Sequence, residues 1–294
     1  MKILSKSYIA LILAVLYVPI LVLMLFSFNS TNNTGVFTGF STYWYEELFR
    51  SAETFAALKN TLILAVSSAL ISTVIGTLAA LGLDRMRSKL LKGTINSVTN
   101  VPMMNPDIVT GISMMLLFVF VGTLLGSTEK LNFWTLLIAH ITFNIPYVML
   151  NVSPKFRQMD KFLPEAALDL GCTPAQSFFK VELPCIMPGV VTGFIMAFTM
   201  SLDDFVISYF CSGSDFQTLP ILIYSMTKKE VKPDIYALST LMIIAILTLL
   251  ILTNLSGDKG ESLKDKLSDS ASRMRERMQT RRAARASGKD GESQ

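Results

Sequence analysis

Asn60–Leu83 reads NTLILAVSSALISTVIGTLAALGL, 24 residues without a charge. A helix needs about 20 such residues to cross a hydrocarbon core of about 30 Å. Five more stretches of the same kind lie on either side of it. Ser7–Phe28 has 22 residues, and Gly93–Ser127 has 35, interrupted only by Asp107. Leu131–Val152 has 22 and holds the sole histidine. Cys185–Ser214 has 30, interrupted by Asp203 and Asp204, and Ile235–Gly257 has 23. Six such segments leave too little polar surface to bury them all inside a soluble protein. The sequence therefore predicts an all-α integral membrane protein with six transmembrane helices, at about residues 7–28, 60–83, 94–125, 131–152, 186–211 and 235–256. A disordered chain is excluded by the 51% hydrophobic content, and a soluble enzyme is disfavoured.

Charge is concentrated outside these segments. The last 38 residues, from Gly257, hold 17 of the 48 charged residues. Residues 1–256 thus form the membrane domain and 257–294 a polar tail, read as a solvated cytoplasmic extension near anionic lipid. Lys and Arg number 20 on the side of the N-terminus, the second and fourth loops and the tail, against 6 on the other. The positive-inside rule places both termini in the cytoplasm. The first apolar stretch exceeds the roughly 7–15 residues of a secretory signal core, so it is read as an uncleaved span. Cys172, Cys185 and Cys211 give no disulfide framework.

The connection 153–184 is long and locally well specified. Pro164 and Glu165 suit a first helical turn, and Gly171 suits a left-handed C-cap. Thr173-Pro174-Ala175-Gln176 is a capping box. Two short helices are expected, the second limited by Pro184. Ala166, Ala167 and Gly171 lack bulk, so another surface could approach the backbone.

The same loop carries Glu165-Ala166-Ala167, three residues, Gly171, nine residues, Val181, one residue, then Leu183-Pro184. This spacing resembles the EAA loop of ABC-importer permease subunits, with Val181 where isoleucine is commoner. Further stretches, Met103-Met104-Asn105-Pro106-Asp107, His140-Ile141-Thr142-Phe143, Ser201-Leu202-Asp203-Asp204-Phe205-Val206, Leu219-Pro220-Ile221 and Ile223-Tyr224-Ser225-Met226, resemble the second permease subunit of spermidine/putrescine importers. The resemblance implies a type I ABC-importer permease fold in a bacterial cytoplasmic membrane. It implies a polyamine as cargo, and as partners a second homologous permease subunit, a dimer of cytoplasmic ATPases and an extracytoplasmic polyamine-binding protein. It assigns ATPase coupling to Glu165, Ala166, Ala167, Gly171, Val181, Leu183 and Pro184. The chain has no G-x-x-x-x-G-K-[ST] loop of its own, so ATP and Mg would enter through the ATPase. No catalytic constellation, metal-ligand cluster or nucleic-acid patch is expected.

Acidic residues inside the apolar segments mark candidate pathway positions, because a carboxylate at a helix centre costs about 2.5–3.5 kcal/mol. Ser201, Asp204 and Ser208 share one face of the fifth span if its helix is continuous, while Asp203 points elsewhere. Pro102 and Pro106 break the overlong third segment. There Asp107 either meets cargo at a broken helix or caps the helix that follows. Asp107, Asp203, Asp204, Phe205 and Tyr209 offer carboxylates and aromatic faces, the groups an oligoammonium cargo needs. His140, with Asn144 one turn on, is either a packed hydrogen-bonding group or a gating contact. The outer connections, from Asn29 to Lys59 with Tyr43-Trp44-Tyr45 and from Ser212 to Asp234, are expected to face a binding protein or the membrane interface. Rival readings are a permease for another cation or small solute and a stand-alone secondary transporter.

Overall fold

Three of the long helices, those that begin at Ala52, Lys89 and Phe133, open where a side-chain oxygen of Ser51, Ser88 or Asn132 serves their first free N–H groups. The computed structural model describes residues 2–31, 36–126, 131–214, 216–228 and 234–251. The tail 257–294 and the end of the sixth span lie outside the described residues. In order the helices are α1 (Lys2–Phe26), α2 (Tyr43–Arg50), α3 (Ala52–Arg85), α4 (Lys89–Met104), α5 (Asp107–Leu124), α6 (Phe133–Gln158) and α7 (Phe162–Asp169). After them come α8 (Pro174–Ser177), a π-helical turn (Phe178–Glu182), α9 (Leu183–Asp203), α10 (Val206–Cys211) and α11 (Leu219–Thr227). The last described helix, α12, is Asp234–Ile251. Six of these helical runs are long and apolar enough to cross a membrane.

The second span runs well beyond the apolar stretch that predicted it. Ser51 accepts from Thr54 N at 3.3 Å and starts α3 at Ala52, eight residues before Asn60. At about 1.5 Å per residue, 34 residues reach about 51 Å, so both charged ends project past the hydrocarbon. For α6, Asn132 accepts from Trp134 N and Thr135 N, and the Thr135 hydroxyl accepts from Asn132 N, a complete capping box.

The third and fifth segments are each interrupted. Asn105 and Pro106 are extended between α4 and α5, and Pro106 serves as the N-cap of α5. The fifth segment departs from the expected single helix over 186–211: Asp204 is extended (ψ 120°) and separates α9 from α10. A second departure concerns Pro184, which does not end the helix begun at Pro174. The helical run continues to Asp203, because the π-turn widens the backbone there and Leu183 N reaches back to Phe178 O. A wide turn absorbs a residue that lacks an N–H and would otherwise clash with the preceding turn.

Small residues bring α3, α6 and α9 together. A Cβ on Gly76 would lie 2.8 Å from the Val148 side chain, one on Gly193 3.4 Å from Val148 Cα, and one on Gly189 2.8 Å from Asn151 O. Ala65, Ala69 and Ala80 of α3 and Ala197 of α9 are buried in the same seams. With lipid outside there is little hydrophobic drive between helices, so close backbone approach and polar contacts hold such a bundle. The surface follows the same logic. Large apolar side chains of α1, α3 and α5, such as Leu11, Val15, Leu70, Val74, Leu117 and Phe120, are exposed. Buried positions of α3 include Thr61, Ser68, Ser72 and Thr77.

The connections around α2 and before α11 fold onto the bundle. Trp44 Nε1 donates to Asn29 O at 2.8 Å, Tyr45 Oη lies 2.7 Å from Ser27 Oγ, and only Tyr43 of that aromatic triplet is left exposed. On the other side Leu219 N donates to Thr61 Oγ1 at 2.7 Å and Asn60 Nδ2 to Gln217 O at 3.1 Å, which fastens α11 to α3.

Candidate functional site

Two places carry the chemistry: the break in the fifth segment and the loop between α6 and α9. At the break, Asp204 caps α10, its Oδ1 accepting from Ile207 N at 3.3 Å and its Oδ2 from Ser208 N at 2.8 Å. The His140 ring sits against it, fully buried. Its Nδ1 lies 2.8 Å from Ser201 Oγ and its Nε2 lies 3.2 Å from Ser208 Oγ and 3.5 Å from Asp204 Oδ2. Ser201 also receives the Ser68 hydroxyl at 2.9 Å. Ser201, Asp204 and Ser208 do converge, as a continuous helix would have made them, but on His140 rather than on an open path. This places His140 as a packed hydrogen-bonding group that ties α3, α6, α9 and α10 together. Asn144, one turn on, is buried with neither side-chain atom hydrogen-bonded.

Asp203 is separate from this network and exposed. The residues that follow build an aromatic cluster. Phe205 and Tyr209 have ring centroids 5.4 Å apart, Phe205 and Tyr224 4.5 Å, and Tyr209 and Tyr224 5.9 Å. Lys228 Nζ lies 4.6 Å over the Tyr224 ring. An ammonium in that position gains about 0.5–2 kcal/mol from the ring face. Tyr224 and Lys228 were not among the sequence-predicted site residues; Tyr224 lies on α11 and Lys228 is its C-cap, with the same four-residue spacing as Phe205 and Tyr209. Asp107 is exposed in the first turn of α5, where its charge complements the helix dipole. One turn on, Gly111 meets α10: a Cβ there would lie 3.1 Å from the Phe210 ring, and Cys211 Sγ points to Gly111 O at 3.9 Å. The two interrupted segments are thus packed against each other.

In the loop, Gly171 has φ +85° and forms a Schellman cap. Gly171 N donates to Leu168 O at 2.9 Å and Cys172 N to Ala167 O at 3.1 Å. Thr173 and Gln176 form the reciprocal capping box that starts α8. Glu165, Ala166 and Gly171 face outward, whereas Ala167 is buried and Leu183 packs beside the Val148, Phe156 and Phe178 cluster. Val181 is half-buried and Pro184 exposed. The loop also presents Phe162, Leu168, Leu170 and Phe179 to the outside, with Leu170 86% exposed. Within the loop's own motif, Glu182 is buried and paired with Arg85 of α3 at 2.6 Å.

Residues 72–258 match the family of binding-protein-dependent transport system inner membrane components. The chain belongs to that family. It is 40% identical over 232 residues to the putrescine transport system permease protein PotI of Escherichia coli, covering 79% of this chain and 82% of the relative. It is 38% identical over 254 residues to the spermidine/putrescine transport system permease protein PotC of Escherichia coli, covering 86% and 94%. Among solved structures, a bacterial ABC transporter that imports the acidic polysaccharide alginate shares the fold, with a TM-score of 0.68 at 16% identity, covering 89% of this chain and 94% of that one. The methionine ABC transporter MetNI gives 0.57 at 17% identity, with coverages of 75% and 99%. The chain is therefore an ABC-importer permease subunit of the bacterial inner membrane.

In this permease the Arg85–Glu182 pair links the second span to the loop. Arg85→Ala strands a buried carboxylate, a loss of about 3–5 kcal/mol for a fully desolvated pair and less here because Arg85 is half-exposed. The expected result is a lower thermal midpoint in detergent, partly restored by adding Glu182→Gln, which removes the unpaired charge.

Proposed function

We propose that this permease subunit carries polyamines, spermidine or putrescine, as half of a translocation path completed by a second homologous permease subunit. Both termini lie in the cytoplasm. A dimer of cytoplasmic ATPases docks on α7 and its Gly171 cap, supplying ATP and Mg, and an extracytoplasmic binding protein delivers the cargo. The observation that carries this reading is the Phe205, Tyr209 and Tyr224 ring cluster, which starts two residues after the exposed carboxylate Asp203 and one ring of which already faces an ammonium, that of Lys228. A polyamine is a flexible methylene chain with separated ammonium groups, and such rings and carboxylates suit it without gripping it. Weak binding is required, because cargo that binds tightly does not leave. The relatives named for putrescine and spermidine support the same cargo, and the exposed apolar side chains around α7 support docking there.

The test is uptake by vesicles holding the chain with its partner subunits and binding protein. Asp203→Asn is expected to lower spermidine uptake about tenfold or more while leaving the thermal midpoint unchanged, since Asp203 belongs to no described ion pair. Asp204→Asn is expected to lower both, because Asp204 caps α10 and faces His140. Uptake at the unmutated rate in both variants, with ATP hydrolysis intact, would remove these carboxylates from the path.

A further inference from the structure

The end of the bundle next to the loop also holds a cavity of about 300 Å³, set between the end of α3, the first turns of α4 and the end of α6. Lys89 and Lys92 enter it from α4 and Arg157 from α6, against a single carboxylate, that of Asp84. The ion pairs among the described residues are Arg85–Glu182 and His140–Asp204, so none of these four side chains is paired with another described residue. Like charges from two separate elements that converge on one cavity raise its positive potential and favour an anion. Gly93 also lines the wall, and nothing lies within 4 Å of the place a Cβ would take, so a larger side chain there meets no protein atom.

The neighbourhood tells which anion. A second cavity of about 210 Å³ shares Asn96, Ser153 and Arg157 with the first and continues past Met149 and Leu150. Alongside runs α4, which buries none of its own residues and exposes Leu90 and Leu91 between the two lysines and Val98, Val101 and Met104 beyond them. Cationic recess, polar groove and unpartnered apolar flank follow one another along the helix. A phospholipid has the same order of phosphate, ester and acyl chain. A free phosphate would use only the first of the three.

We infer that this cavity binds the phosphate headgroup of an anionic phospholipid, with its acyl chains along α4. Basic pockets between membrane helices attract such headgroups, and neutral lipid gains nothing from the excess charge. The inference does not depend on the polyamine reading, and its test involves no transport.

The full chain in detergent would be given equal amounts of phosphatidylglycerol and phosphatidylcholine, and its bound lipid counted by native mass spectrometry. A phosphatidylglycerol preference of roughly fivefold or more is expected. The triple variant K89Q/K92Q/R157Q should lose it, with its thermal midpoint in phosphatidylcholine unchanged. Gly93→Leu should also lower it, by filling the recess at constant charge, whereas K89R/K92R should keep it. Inorganic phosphate at about 10 mM should leave the lipid in place if the acyl chains share in binding. A preference that persists in both K89Q/K92Q/R157Q and Gly93→Leu overturns the site, and full displacement of lipid by inorganic phosphate overturns the lipid in favour of the free anion.

Discussion

Replacing Gly171 by valine is expected to cut ATP-driven uptake at least tenfold while the membrane bundle stays folded. Gly171 has φ +85°, a left-handed conformation that costs an L-residue about 1–2 kcal/mol, and more for a β-branched one. Nothing lies within 4 Å of the added Cβ, so the substitution creates no clash and its effect is conformational. The affected element is small. Helix α7 has eight residues, and the two Schellman hydrogen bonds at its end depend on the Gly171 conformation. A two-turn helix is marginal without such a cap, so 1–2 kcal/mol is enough to fray it or change its exit direction. If α7 is where the ATPase docks, co-purification of the ATPase should fall together with uptake, and the thermal midpoint of the membrane chain should barely move. Gly171→Asn should retain most of both, since asparagine tolerates the left-handed region. Glu165→Lys offers a second probe, because the side chain is exposed and reversing its charge at the α7 N-terminus alters helix stability by only about 0.3–1 kcal/mol. A large loss of uptake there would have to arise at an interface. Gly171→Val with normal uptake and normal co-purification would end the docking role of α7.

Elements governed by local rules were legible in the sequence, and those governed by distant partners were not. Six apolar stretches predict six crossings, because span length is set by the bilayer and by the rise per residue. The Gly171 cap and the Thr173–Gln176 box were readable for the same reason, as each involves atoms a few residues apart. The break after Asp203 was not. No proline or glycine stands there, and Ser201, Asp204 and Ser208 fit one unbroken helical face. What stabilises the extended residue is His140, 61 positions before Ser201 and 68 before Ser208. Glu182 is a parallel case. It stands inside the loop motif, yet it is buried against Arg85, 97 positions earlier. Of the sequence-predicted pathway residues, Phe205 and Tyr209 belong to the aromatic cluster, Asp203 and Asp107 are exposed, and Asp204 is engaged in holding the break. Tyr224 and Lys228 joined the cluster only because α11 packs back onto α3, a contact made by Thr61 and Asn60 and invisible in spacing.

Replacing His140 by leucine is the sharpest test of that long-range control. Leucine fills much of the volume, so the change removes polar contacts rather than packing. Two hydrogen bonds to the ring are lost, one on each side of the break, and the Asp204 carboxylate, whose side chain is only 9% exposed, loses the imidazole 3.5 Å away. Each unsatisfied buried group costs about 1–3 kcal/mol, so a loss on the order of 2–4 kcal/mol is expected. Ser201 keeps its bond from Ser68, and Asp204 still accepts from Ile207 and Ser208, so α9 and α10 should survive as helices while the angle between them loosens. That angle aims Asp203, Phe205 and Tyr209. Uptake should therefore fall further than stability alone explains, about tenfold or more, in vesicles assayed well below the melting transition. His140→Gln, which can reach one serine but not both, should be intermediate in both readouts. A double-mutant cycle with Ser208→Ala separates the two roles: a clamp across the break gives a coupling energy of about 0.5–2 kcal/mol, whereas independent packing gives additive losses. Additivity together with undiminished uptake in His140→Leu would show that α10 holds its position without His140, through Gly111 of α5 and the Thr135 bond to Cys211 O.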